Sequence, residues 1–120
     1  MTFTPPGQNS TRGNLGPEGT ESFTPAQLAQ FDGKDESKPV YIAIRGVVFD
    51  CTTGRSMYGP GGSYGIFAGK DASRALAKSS LKAEDVVADI QGLTEKEVET
   101  LEQWETFYRK KYPVVGRLVQ

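Results

Sequence analysis

Between Gly54 and Gly69 the chain places six glycines in sixteen residues, at positions 54, 59, 61, 62, 65 and 69. Glycine is costly to order, so such a tract belongs where the backbone must turn sharply or lie close to something. Tyr58 and Tyr64 stand inside it. The segment Tyr58-Gly59-Pro60-Gly61-Gly62-Ser63-Tyr64-Gly65 is not a phosphate loop. It lacks the closing Gly-Lys-Ser/Thr of a Walker sequence, and Tyr64 holds the place of the third glycine of a dinucleotide fingerprint. The rest of the chain must therefore fold so as to hold an irregular loop.

The flanking sequence supplies regular elements. Thr24 caps a short helix, with Pro25 at its first position, Gln27 reaching back to the cap, and Phe23 and Leu28 as a hydrophobic staple. Asp32-Gly33 ends it. After a polar loop from Lys34 to Pro39, Val40 to Ile44 reads as a buried strand, Arg45-Gly46 as a tight turn, and Val47 to Cys51 as the returning strand of a hairpin. Period two puts Val47, Phe49 and Cys51 on one face. Beyond the glycine tract, Asp71 is placed to cap a helix over 72–76, and Ser80 another through Val86-Val87. Thr94-Glu95-Lys96-Glu97 is a capping box, with Leu93 and Val98 as its staple, opening the longest helix, over roughly 95–110. Val98, Leu101, Glu105 and Tyr108 lie near one face of it, with Trp104 beside them. Pro113 makes the stretch from Tyr112 to Gly116 extended. Short helices around a small sheet, with a hairpin in the first half, define an α+β domain. Residues 1–21, rich in Pro, Gly, Ser and Thr, read as a disordered tail, and 22–120 as the domain.

Composition removes whole classes of function. The 120 residues suit one domain with a modest core. There is no histidine and one cysteine, Cys51. This excludes Ser-His-Asp and Cys-His catalysis, an intramolecular disulfide, a Cys- or His-based zinc site, and a His-ligated haem. Lys+Arg 14 against Asp+Glu 15 leaves no general basic field, which argues against a nucleic-acid partner. The longest apolar run, Val40 to Ile44, is far short of the ~20 residues of a membrane-spanning helix. The start Met1-Thr2-Phe3-Thr4-Pro5-Pro6 has neither the basic nor the apolar region of a secretory leader. The expectation is a chain without a transmembrane segment, in a reducing, cytoplasmic setting.

Several segments in order carry a resemblance. They are Phe23-Thr24-Pro25-Ala26-Gln27-Leu28, Gly46-Val47-Val48-Phe49-Asp50, Tyr58-Gly59-Pro60, the run from Tyr64 through Gly69 to Arg74, and Lys111-Tyr112. Together they resemble the membrane-associated progesterone receptor family, a branch of the cytochrome b5-like haem/steroid-binding domains, over about 23–118. The resemblance implies a cytochrome b5-like fold without paired haem histidines. It implies haem b, as ferric protoporphyrin IX, held through one tyrosine oxygen with the other axial face open. On that pattern Tyr64 matches the axial, metal-ligating tyrosine and Tyr58 the tyrosine that hydrogen-bonds to it. Lys111 and Tyr112 match the pair that contacts the haem edge and propionates. It further implies support of cytochromes P-450 in sterol metabolism, self-association through the exposed haem face as a homodimer, and a place peripheral to the endoplasmic reticulum membrane. Many members carry an N-terminal transmembrane anchor, and the expectation from this sequence is a chain without one.

The chemistry stands on its own. A phenol with a pKa of about 10 is only about one part in a thousand phenolate at pH 7, and mostly-phenolate costs about 4 kcal/mol. Bonding to ferric iron supplies that. An anionic oxygen ligand favours ferric over ferrous iron, so haem binding, transfer or sensing suits the site better than electron relay. The residues alone leave alternatives open. Tyr58 and Tyr64 also read as loop-packing side chains, and Lys111 as a cation at a helix C-terminus. Cys51 and Met57 read as buried or space-filling sulfurs, Trp104 and Phe107 as core, Asp71 as a cap, and the Glu-rich start of the last helix as a solvated face. A pocket for a steroid or other small apolar ligand and a haem-independent interaction module are the alternative functions. No positioned base points to an enzyme.

Overall fold

The computed structural model describes residues 18–119. Strand β1 is Glu21–Phe23, and the other strands are β2 (Tyr41–Ile44), β3 (Val47–Asp50) and β4 (Val114–Leu118). They form one sheet in the order β1-β4-β3-β2. β2 and β3 are the expected hairpin, with Ile44 opposite Val47. The turn residues Arg45 and Gly46 have φ of 52° and 80°. That pair of left-handed residues matches the twist of the two strands, which is why a two-residue turn with glycine second works here. β4 returns antiparallel to β3 with an irregularity at Val48/Phe49, and β1 lies parallel on its outer side.

Four α-helical segments surround the sheet: α1 (Pro25–Leu28), α2 (Arg55–Tyr58), α3 (Ser73–Lys78) and α4 (Glu95–Lys111). Both capping boxes form. Gln27 N–H donates to Thr24 Oγ1 at 3.1 Å and Thr24 N–H to Gln27 Oε1 at 2.9 Å, and Thr94 and Glu97 repeat the pattern at 3.1 and 3.0 Å. Each box satisfies two amide groups that a helix start leaves open. Of the residues expected to form the staple at α4, Leu93 packs on the core and Val98 is 36% exposed. α4 buries Leu101, Trp104, Phe107 and Tyr108. Glu105, expected near the buried face, sits at its edge and pairs with Arg45 and Arg109. Ser80 does not open an α-helix. Its hydroxyl accepts from Lys82 N–H and donates to Asp85, which supports only one 3₁₀ turn at Ala83–Asp85.

Both sheet faces are covered. The larger core joins Ile42, Ile44, Val47, Phe49 and Cys51 to α3 and α4, as period two predicts for the three β3-side residues. A smaller one joins Ala43 and Val48 to Phe23 and Leu28. Residues 1–17 of the expected tail lie outside the described residues. The stretch after them is already engaged: Gly19 N–H donates to Val114 O at 2.7 Å, and Glu21 pairs with Gly116.

Candidate functional site

The glycine tract is held at both ends. α2 is a single turn whose Arg55 reaches back to donate to the carbonyls of Gly33 and Lys38, at 3.3 and 2.5 Å. The loop then doubles back so that Tyr64 N–H donates to Met57 O at 2.8 Å. A Cβ on Gly62 would lie 2.2 Å from the same carbonyl, so only glycine permits that approach. After Tyr64, a 3₁₀ turn at Gly65–Phe67 leads to Asp71.

Asp71 is not an N-cap in the expected sense, since α3 begins at Ser73 with Ala72 at the cap. Its carboxylate is 7% exposed and accepts from Ser73 N–H at 3.0 Å, Ser73 Oγ at 2.5 Å and Gly46 N–H at 3.0 Å. Ser73 Oγ in turn accepts from Arg45 N–H at 2.7 Å. Asp71 and Ser73 therefore anchor the hairpin turn to α3. This role, 25 residues along the chain, is invisible to local sequence reasoning.

The four residues singled out from the sequence come together. Tyr64 is half-buried, and its ring is stacked parallel to that of Phe67 within 1° at a centroid distance of 5.9 Å. Its centroid is 6.1 Å from that of Tyr58, and Tyr58 is 6.1 Å from Tyr112. Lys111 Nζ lies 5.6 Å from the Phe107 ring centroid and 5.9 Å from that of Tyr112. α2 and its loop supply the first two tyrosines, and the end of α4 supplies the lysine and the third. The result is a continuous aromatic wall with a phenol at one end and an ammonium group at the other.

Tyr58 is 2% exposed, and its hydroxyl accepts from Tyr108 Oη at 2.9 Å. Burial holds the Tyr58 phenol far above its ordinary range, and Tyr112 adds to the rise. The Tyr112 phenol is pushed up to about 12, chiefly by burial and then by Cys51, while neighbouring Tyr58 opposes the rise. The Tyr112 hydroxyl makes no hydrogen bond of ordinary geometry although it is buried. Gly54 lies against this pair: a Cβ there would be 3.0 Å from Tyr112 Oη and from the Tyr58 ring. Tyr108 was read from the sequence only as a core residue. Its polar role depends on a contact 50 residues away.

Cys51 is fully buried and its thiol is raised by burial and by Asp50, so no thiolate faces the loop. Met57 does not fill the interior, being 36% exposed. No cluster of three or more Cys, Asp or Glu suited to a metal ion occurs among the described residues. Of the three candidate phenols, Tyr58 and Tyr112 are buried and Tyr64 is half-buried. A half-buried phenol, buried aromatic rings packed edge-on and tilted behind it, a close-lying backbone and one cation are compatible with a planar, dianionic ligand docking at Tyr64. The Tyr112 hydroxyl is fully buried beside that of Tyr58, so burial raises its pKa and the Tyr58 hydroxyl opposes the rise.

Residues 24–119 match the model of the family described as "Cytochrome b5-like Heme/Steroid binding domain". The chain is 63% identical over 97 residues to "Probable steroid-binding protein 3" of Arabidopsis thaliana, covering 81% of this chain and 97% of that protein. It is 50% identical over 90 residues to "Membrane steroid-binding protein 1" of Oryza sativa subsp. japonica, covering 75% of this chain but 39% of the relative. Among solved structures, a hypothetical protein of Arabidopsis thaliana with a cytochrome b5 like fold superposes with a TM-score of 0.78 at 58% identity, covering 91% of this chain and all of that one. The chain belongs to the cytochrome b5-like haem/steroid-binding domain family, in the branch of the membrane-associated progesterone receptors. It spans nearly the whole of one relative and well under half of the membrane steroid-binding proteins. Among the described residues no helix is long and apolar enough to cross a membrane.

Proposed function

We propose that this chain is a non-catalytic haem-binding protein in which Tyr64 Oη is the axial ligand of ferric haem. The observation that carries the reading is the meeting of Tyr64, Tyr58, Tyr112 and Lys111 on one aromatic wall, in a chain without histidine. Tyr58 donates to the Tyr64 oxygen and favours its ionised form. Lys111 meets a propionate as a point charge, and Tyr112 supplies a hydroxyl beside it. Bound haem contributes an iron centre biased to the ferric state. Handling of haem, support of cytochrome P-450 sterol chemistry, pairing of two copies through the open haem face, and a cytoplasmic place next to the endoplasmic reticulum membrane extend this reading. Ferric haem titrated into apoprotein and into Tyr64→Phe tests it. The variant is expected to bind at least about tenfold more weakly, about 1.4 kcal/mol, with an altered spectrum. Equal affinity with an unchanged spectrum would overturn the assignment.

A steroid-binding reading has one observation of its own. A cavity of about 280 Å³ opens between α1, the end of β4 and Val86 to Ala88, lined by Pro25, Leu28, Ala29, Val86, Val87 and Leu118. It is mainly apolar, with Lys70 and Asp71 also lining it, lies just below the usual size of about 300 Å³ and more for small-molecule sites, and is formed by elements other than the tyrosine wall. Its occupation by a steroid predicts equal steroid affinity for haem-free and haem-loaded protein, and loss of it in Val87→Arg, at an exposed lining position. Competition between haem and steroid would remove the cavity from consideration.

A further inference from the structure

We infer that Tyr108 is a positioning residue for the haem site, acting through Tyr58; this rests on the haem reading above. A phenol hydroxyl has one hydrogen to give and two lone pairs to accept with. Tyr108 is fully buried, and the rings of Phe49, Trp104, Phe107 and Tyr112 lie around it. Its hydroxyl stands 2.9 Å from Tyr58 Oη. Two hydroxyls at that distance share one hydrogen, and the choice of donor is set by what surrounds each. If Tyr58 donated to Tyr108, the Tyr108 hydrogen would be left among aromatic rings, a loss of about 1–3 kcal/mol. If Tyr108 donates, both hydrogens are used well. Tyr108 spends its own inside the core, and Tyr58 keeps its hydrogen for an oxygen outside that pair. That oxygen is Tyr112, its neighbour in the haem-free protein, or an ionised Tyr64, whose ring centroid lies 6.1 Å away and whose charge makes it the stronger acceptor.

The direction has a chemical effect. A hydroxyl that accepts one hydrogen bond becomes a stronger donor in the next, by about 10–30%. Tyr108 therefore both aims and strengthens the hydrogen bond that Tyr58 gives to the Tyr64 phenolate. A phenolate relieved of part of that hydrogen bond is more electron-rich. Removing the Tyr108 hydroxyl then shifts the phenolate-to-iron charge-transfer band to longer wavelength and makes the reduction potential more negative.

The test is a double-mutant cycle on haem-loaded protein with Tyr108→Phe, Tyr58→Phe and the pair. Absorption and potential are read together, with Tyr64→Phe as the ligand control. Tyr108→Phe is expected to move the band and potential in the stated directions, by less than Tyr58→Phe, and to change nothing further in the Tyr58→Phe background. An additive effect in that background, or no shift from Tyr108→Phe in otherwise normal protein, overturns the positioning role while leaving Tyr64 as ligand. A spectrum unchanged by Tyr64→Phe overturns both. Thermal melts of the haem-free variants separate lost folding from lost orientation, because phenylalanine fills the same volume.

Discussion

Replacing Asp71 by alanine removes the acceptor that joins the hairpin turn to α3. Three hydrogen bonds go with it: from Ser73 N–H at 3.0 Å, Ser73 Oγ at 2.5 Å and Gly46 N–H at 3.0 Å. Bonds to a carboxylate contribute about 1.5–3 kcal/mol each. The Ser73 hydroxyl can rotate to another partner and the half-buried Gly46 amide can reach water, so the sum is not fully lost. We expect a net loss of about 3–5 kcal/mol, a large part of the stability of about 5–15 kcal/mol typical of such a domain. With a urea slope of about 2 kcal/mol/M, the midpoint falls by about 2 M, followed by circular dichroism. Asp71→Asn keeps one acceptor oxygen and should lose about half as much. Under the haem reading, affinity measured on the folded fraction stays within about twofold of the parent, since Asp71 touches none of the aromatic wall. A loss under about 1 kcal/mol in Asp71→Ala, or an affinity loss without a stability loss, would refute the assignment of Asp71 as a structural tie.

Other consequences can be measured on the same scale. Gly54→Ala pushes a methyl to 3.0 Å from Tyr112 Oη and the Tyr58 ring; a stability loss of about 1–3 kcal/mol and weaker haem binding are expected, by melting and titration. Tyr112→Phe deletes a buried hydroxyl that makes no hydrogen bond of ordinary geometry and has only the Tyr58 hydroxyl beside it. It should raise the stability of haem-free protein by about 1 kcal/mol, some 4–8 °C in melting temperature, while lowering haem affinity. The phenols of Tyr58, Tyr108 and Tyr112 are all raised by burial. Their folded forms hold protons that the unfolded chain gives up, so stability is full below pH 10 and falls above it. Urea titrations should show a decline of up to about 1.4 kcal/mol per pH unit per phenol, with the Tyr112 share flattening near pH 12. A flat profile to pH 11 would contradict their burial.

Local chemistry was readable in the sequence where its causes lie within a few residues. The boxes at Thr24 and Thr94 involve partners three positions away, and the Arg45-Gly46 turn depends on its own backbone. The hairpin was also legible, because two short apolar runs flank the Arg45-Gly46 turn; both faces of β3 are buried, with Val47 and Phe49 in one core and Val48 in the other. β1 was not: Glu21 and Ser22 are exposed polar residues, and the strand exists because β4 offers a free flank. The site divides in the same way. Tyr58 and Tyr64 are conspicuous in a glycine tract, and family resemblance singled out Lys111 and Tyr112. The tie from Asp71 to Gly46 and the bond from Tyr108 to Tyr58 are tertiary, and no spacing rule announces them. The run from Tyr64 to Arg74 thus holds two roles, a phenol facing the wall and a carboxylate bracing the hairpin.

The three residues of β1 also matter to anyone who shortens this protein. The family match begins at residue 24, just past Phe23. A fragment cut there would leave Gly116 to Leu118 with bare amides and carbonyls beside an apolar surface. Two such fragments can zip together along their exposed flanks. Dimers seen in trimmed material would then report the scissors rather than the pigment.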